Sequence, residues 1–164
     1  MSTQQLIIDH DRWRKDWGGA PAGVAGQADT QAYAGLDLGG ITFEASTFTG
    51  SVFSTINFAD ASWKGCQFTN CTFCQCDLER LRMTGCTFIG CTFGDCRFAG
   101  AWLAASSFTG CDWDELNFDG ACWTRLKLLS CSGTRISANG LRGQEVDFNG
   151  SCFQDMQLVN AEIN

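Results

Sequence analysis

From Cys86 to Gly100 the chain reads Cys-Thr-Phe-Ile-Gly-Cys-Thr-Phe-Gly-Asp-Cys-Arg-Phe-Ala-Gly. Each Phe lies five residues from the next, with a Cys two residues before it and Gly or Asp two after. Counted outward from this stretch, every fifth residue from Leu38 to Leu128 is Phe, Trp, Leu or Met. After Gly133, Ala138 and Gly143 the same phase resumes at Phe148, Phe153, Leu158 and Ile163. All 13 Phe residues occupy it. Neither a helix, with period 3.6, nor a strand, with period 2, yields a period of five, so the pattern is an internal repeat. The position two residues before each centre is small or apolar, as at Ser46, Ile56, Cys66, Leu81, Ala101 and Leu126. One large and one small inward residue in every five describe a short extended side followed by a corner, so that the alternation of a strand is reset at each corner.

The 164 residues suit one compact domain. A hydrophobic fraction of 45% with 12% aromatic residues excludes a disordered chain. No apolar run approaches the ~18 residues of a membrane span, and no membrane association is expected. The formal net charge is −7. That balance argues against direct nucleic-acid binding, which needs clustered Lys and Arg to neutralise phosphates. An acidic surface suits basic partners instead.

The pentapeptides Cys-Thr-Phe-Ile-Gly, Cys-Arg-Phe-Ala-Gly and Gly-Leu-Asp-Leu-Gly closely resemble those of the pentapeptide-repeat family, over about residues 34 to 164. The resemblance implies an all-β fold, a right-handed quadrilateral parallel β-helix with four pentapeptides to the coil. The span from Leu36 to Ile163 then makes about six coils, a rod roughly 30 Å long at the usual strand spacing. This chain departs from the family in using Cys eight times where Ala is usual, and Phe or Trp where Leu is usual. Residues 1–33 stand outside the repeat as an N-terminal cap or docking segment with a Gly/Ala linker, and residues 34–164 form the β-helix.

If residues twenty apart stack, Cys71, Cys91, Cys111 and Cys131 form an inward ladder. Thiolate ligands must converge on one tetrahedral point, whereas a stack sets them in a line, so these read as reduced thiols packed as small hydrophobes. Cys71, Cys74 and Cys76 have ligand-like spacing, but the phase sends Cys74 outward. No metal and no cofactor is expected. Eleven cysteines, an odd number, with no leader-like segment point to a reducing cytoplasm.

Outward positions segregate charge. An acidic edge gathers Asp77, Glu79, Asp95, Asp112, Asp114 and Glu115. Another side carries Lys64, Arg82, Arg125 and Arg142, and a third is rich in Thr. Trp102 falls outward in the column of Arg82 and Arg142. Trp and Arg dominate interface energetics, which makes the three a candidate partner-binding set. The competing reading is local stacking of Arg82 on Trp102.

At the N-terminus Leu6, His10, Trp13 and Trp17 follow helical spacing and predict a short helix from Leu6 to Trp17 with one aromatic stripe. A flexible stretch from Gly18 to Ala28 follows. The helix either caps the first coil or presents Trp13 and Trp17 to a partner. At the other end the chain stops in phase at Asn164, and bare strand edges call for a cover. An end-to-end homodimer or a partner's β-structure would supply one. The interruption at Gly133, Ala138 and Gly143 predicts a bulge or kink near residues 131–146.

No catalytic constellation is legible. The one His, His10, lies outside the repeat, no base stands beside the Ser and Thr ladders, and the glycines are corner residues rather than a phosphate loop. The chain is expected to be a non-catalytic, rigid protein-interaction module, an adaptor or scaffold, with a component of bacterial secretion machinery as one candidate partner. The resemblance implies an alternative. Family members that protect DNA gyrase are acidic rods that mimic DNA, although they dimerise through an apolar C-terminal helix where this chain reads Val-Asn-Ala-Glu-Ile-Asn.

Overall fold

The computed structural model describes residues 2–164. The chain winds as a right-handed β-solenoid of about seven turns, preceded by one helix, α1 (Thr3–Arg14). Each coil has four sides. Side I stacks eight short strands, from Gly23–Ala25 to Glu162–Ile163. Side II stacks six, from Ala28–Asp29 to Lys127–Leu129, and side III seven, from Ala32–Ala34 to Cys152–Gln157. The fourth side is held by single bridges, Asp37 to Asn57 to Asp77 to Arg97 to Asn117, each followed by a tight turn. In these turns an amide donates back three residues, as from Ile41 to the Leu38 carbonyl, and the third residue takes a positive φ, the signature of a type II turn.

All pairing is parallel, and residues twenty apart face one another, as Phe73 faces Phe93 and Met83 faces Leu103. Inward centres therefore stack at the strand spacing. Phe48, Phe68, Phe88 and Phe108 lie with successive centroids 4.8, 4.7 and 4.5 Å apart and rings within 7° of parallel. This offset stacking is a favoured aromatic geometry. Corners fall at every fifth residue from Gly35 to Asn160, all with left-handed φ.

The solenoid begins earlier than the sequence phase shows. The stretch expected to be flexible, Gly18 to Ala28, instead contributes strand Gly23–Ala25 and part of Ala28–Asp29 to a complete first coil, so there are about seven coils rather than six. This coil is one residue short, since Gly23 faces Thr42 and Ala28 faces Thr47 while Ala32 faces Val52. Its inward centres include Val24 and a buried Asp29. Asp29 is satisfied by donors from the Tyr33 phenol at 2.7 Å, the Ser51 hydroxyl at 2.8 Å and the Gln31 amide at 3.0 Å. A shortened side and a carboxylate in place of an aromatic ring hide this coil from the five-residue pattern.

The expected bulge near residues 131–146 is absent. Ser132 to Ser137 stays in register with Asp112 to Asn117, and Arg142 to Gln144 with Cys122 to Thr124. The empty positions are filled from neighbouring coils. A Cβ on Gly133 would collide with the Phe153 ring, and that ring reaches Trp113 two coils away at 5.9 Å. Ile163 closes over Gly143 in the same way.

Candidate functional site

Parallel, in-register pairing on side I places the outward side chains of Arg82 and Trp102 one rung apart. The Arg82 guanidinium lies 5.5 Å from the centroid of the Trp102 ring, within cation–π range. Trp102 remains 52% exposed. On the same strands and the corner beside them, the outward residues Thr84, Gly85, Ala104 and Ala105 are small, so the Arg82–Trp102 ridge stands proud of a low floor. Arg142 lies two rungs beyond Trp102, past Cys122. It is engaged with Glu162 at 3.7 Å and donates to the Asn160 carbonyl at 3.3 Å. The fold thus joins Arg82 to Trp102 and leaves Arg142 apart from them.

The acidic edge is an ion-pair ladder rather than a bare anionic strip. Arg135 meets both oxygens of Asp114 at 2.7 Å and Glu115 at 2.7 Å. Arg97 reaches Asp77 at 3.4 Å and Glu79 at 4.0 Å, and Ser132 donates to Asp112 at 2.7 Å. Asp95 contacts Glu115 one coil away, and that contact pushes the Glu115 carboxyl up from the ordinary glutamate range. Asp77 also has a local duty, accepting from the Glu79 amide at 3.0 Å. Asp37, Asn57 and Asn117 make the same Asx contact in their own coils. The sequence carried a signal for this, an Asp or Asn in the same phase at residues 37, 57, 77 and 117.

At the N-terminal end α1 buries Thr3, Ile7, His10 and Asp11. The helix runs Thr3–Arg14 rather than Leu6 to Trp17, and the expected stripe is split: His10 is buried and Leu6 half-buried, while Trp13 is 43% exposed and Trp17, beyond the helix end, 66%. The cause is the polar edge of the first coil, which needs partners for its backbone groups. His10 Nδ1 accepts from the Ala22 amide at 2.9 Å, and Nε2 donates to the Gly39 carbonyl at 2.8 Å. Asp11 accepts from the Asp37 amide at 2.7 Å, and the Thr3 hydroxyl donates to the Ala28 carbonyl at 3.1 Å. These contacts fix a neutral imidazole, and burial lowers the His10 pKa from its ordinary value. Trp13 packs beside that imidazole at 5.4 Å, and Lys15 lies over Trp17 at 5.1 Å.

All eleven cysteines are free thiols. Cys71, Cys91 and Cys131 each donate to the carbonyl 23 residues back, at 3.3, 3.3 and 3.2 Å. Their sulfurs form a line, and the neighbouring thiol together with burial pushes Cys86, Cys91, Cys96 and Cys131 upward, holding them protonated. Cys71 and Cys76 face inward while Cys74 is half-buried on the outside. Among the described residues no group of three potential ligands converges on a metal position, and no helix is long and apolar enough to cross a membrane.

Four five-residue sides, twenty residues to the coil, make this chain a right-handed β-solenoid built on a five-residue repeat. Residues 25–93 match the family model described as the SV2A/B/C luminal domain. Among solved structures it is similar to QnrB1, a plasmid-mediated fluoroquinolone resistance protein, with 15% identity over 84% of this chain and 91% of that one and a TM-score of 0.43. It is also similar to HetL, a pentapeptide repeat protein involved in heterocyst differentiation regulation from the cyanobacterium Nostoc sp. strain PCC 7120. There the identity is 13% over 99% of this chain and 97% of that one, with a TM-score of 0.47. No curated protein matches the chain in sequence.

Proposed function

We propose that this solenoid is a non-catalytic, rigid protein-docking rod, an adaptor or scaffold, and that side I around Arg82 and Trp102 is its docking face. The observation that carries the reading is an exposed Trp braced by an Arg on an unbroken sheet. Such a side chain is held in place before a partner arrives, and buried Trp and Arg anchors supply most of the energy of many interfaces. Trp13 and Trp17 on the cap are a second place for contact. The free thiols suit a reducing cytoplasm. Phe148, Phe153 and Leu158 of the last coil, partly exposed, suit end-on packing, whether against a second copy or a secretion-machinery component.

Affinity capture with cross-linking from native cytoplasm, followed by mass spectrometry, tests the reading. A partner held by the wild-type chain should be lost when Arg82, Trp102 and Arg142 are replaced together by Ala. Retention would remove side I from the reading. A gyrase supercoiling assay belongs beside it. Gyrase subunits in the eluate together with altered supercoiling would move the docking face to the acidic edge and make the rod a DNA mimic. The pairing of Asp77, Asp114 and Glu115 with Arg97 and Arg135 favours the first reading.

A further inference from the structure

Beside the Arg82–Trp102 ridge lies a shallow trough. Its floor is Thr84, Gly85, Ala104 and Ala105, and a cation stands at each end, Lys64 and Arg125. No outward residue of side I between Ser62 and Arg125 is acidic, in a protein whose net charge is −7. Among the described residues neither Lys64, Arg82 nor Arg125 takes part in a salt bridge. Glu44 and Glu145 lie one rung beyond the ends, and Asp60 beside the ridge is occupied by Arg80 through two bonds of 2.8 and 3.2 Å. The trough is flanked by two hollows. One of about 470 Å³ is lined by Asp60, Arg80, Arg82 and Trp102, and one of about 480 Å³ by Ala105, Ser107, Arg125 and Lys127.

We propose that this trough binds an extended acidic peptide segment of a protein partner, with carboxylates on Lys64, Arg82 and Arg125 and an apolar side chain on Trp102. The proposal rests on the reading of the chain as a protein-docking rod and names the chemistry of what docks. The three rungs from Lys64 to Arg125 span about 14 Å, the length of roughly four extended residues. The peptide lies across the sheet rather than joining it. Strand Trp102–Ala104 is already paired on both sides, so there is no free edge for strand addition. Recognition must come from side chains, and these offer positive charge and one flat apolar surface. A nucleic-acid duplex fits less well, because its closely spaced phosphates continue past the trough into Glu44 and Glu145.

The test is fluorescence anisotropy of a labelled eight-residue peptide of Glu and Asp with two central Leu residues, against the same peptide with Lys in place of the acids. The acidic peptide should bind, more weakly as salt rises, and the Lys peptide should not. Arg82→Gln, Arg125→Gln and Trp102→Ala should each weaken binding about five- to tenfold, while Arg97→Gln on the fourth side should leave it unchanged. These positions are exposed, and circular dichroism of each variant is to be compared with the wild type as the folding control. No binding by the wild type, or equal loss in Arg82→Gln and Arg97→Gln, overturns the proposal. So does a 20-base-pair duplex that binds more tightly at the same residues. If the peptide fails while cytoplasmic capture still depends on Arg82 and Trp102, the acidic chemistry is wrong and the docking rod survives. If capture is indifferent to both residues, the docking face itself is wrong.

Discussion

Phe73 stacks between Phe53 and Phe93, with centroids 5.1 and 4.7 Å away, and has no exposed surface. A rigid stack cannot close around a missing ring, so Phe73→Ala should cost about 3–5 kcal/mol. Urea denaturation measures this, and a loss below about 1 kcal/mol would contradict the packing described here. Corners respond in the opposite sense. Ala105 is exposed and holds φ at 51°, a conformation that crowds a Cβ. Ala105→Gly should therefore gain up to about 1 kcal/mol, whereas the same change on a strand destabilises. Three buried indoles, those of Trp63, Trp113 and Trp123, have no hydrogen-bond partner for Nε1 among the described residues. Their donors offset part of what their large apolar faces contribute. Trp63→Phe should accordingly cost less than Phe73→Ala, despite the greater volume of Trp, in the same urea experiment. At this scale the sequence was informative about direction. The five-residue phase sorted inward from outward and placed Trp102 beside Arg82, because inward positions must be apolar. The turn role of Asp77 was legible only in the recurrence of Asp or Asn at residues 37, 57, 77 and 117, because taken singly a carboxylate that caps its own backbone reads the same as one that waits for a partner.

Helix α1 covers the first coil through polar contacts, and its stability therefore depends on pH. His10 is held neutral by the Ala22 amide and the Gly39 carbonyl, with Arg14, Asp11 and Asp37 as its charged neighbours. Its folded pKa lies below the unfolded value near 6.5. The unfolded chain therefore binds a proton first on acidification. The contribution of His10 is complete above about pH 6.5 and declines as pH falls through the interval down to the folded pKa. The protection of α1 amides, taken relative to their intrinsic exchange rates, should fall over that interval while the amides of the central coils stay protected. A cap equally protected at pH 5 and pH 8 would contradict this. The helix was legible as a helix, but its buried face was not. Periodicity finds apolar stripes, and here the demand came from orphaned backbone groups. The gap at Gly133 was misleading for a related reason. Within one pentapeptide it looks like a defect, and only the Phe153 ring from the next coil reveals that the space is used.

Apart from the Phe153 ring, which reaches Trp113 across Gly133, the pairing joins each coil to its neighbours, so the rod behaves as a one-dimensional stack. Removing twenty residues, Ser46 to Gly65, joins Ala45 to Cys66 in the same phase and brings every column back into line. The shortened chain should fold with a parallel-sheet circular dichroism spectrum, while a deletion of eighteen residues from the same point should not. Charge is also arranged at this scale. The cations of the acid-rich sides are committed to carboxylates, and those in the middle of side I are not. The architecture followed from the repeat because a period of five admits few solutions. The segregation of free from paired charge was not legible in the repeat, since ion pairing depends on how long side chains bend between rungs.

The hydrogen bonds between coils run along the axis of the rod, as from the Phe58 amide to the Asp77 carbonyl and from the Thr92 amide to the Cys71 carbonyl. Tension applied at the two ends therefore loads one layer of bonds at a time, and the chain should yield like a spring unwinding turn by turn. Each released turn of twenty residues would lengthen the chain by about 60–70 Å. Force applied across a single turn meets no such weak direction. A partner that grips one flank leaves the column mechanically intact, whereas one that pulls on its tips can pay it out in equal steps.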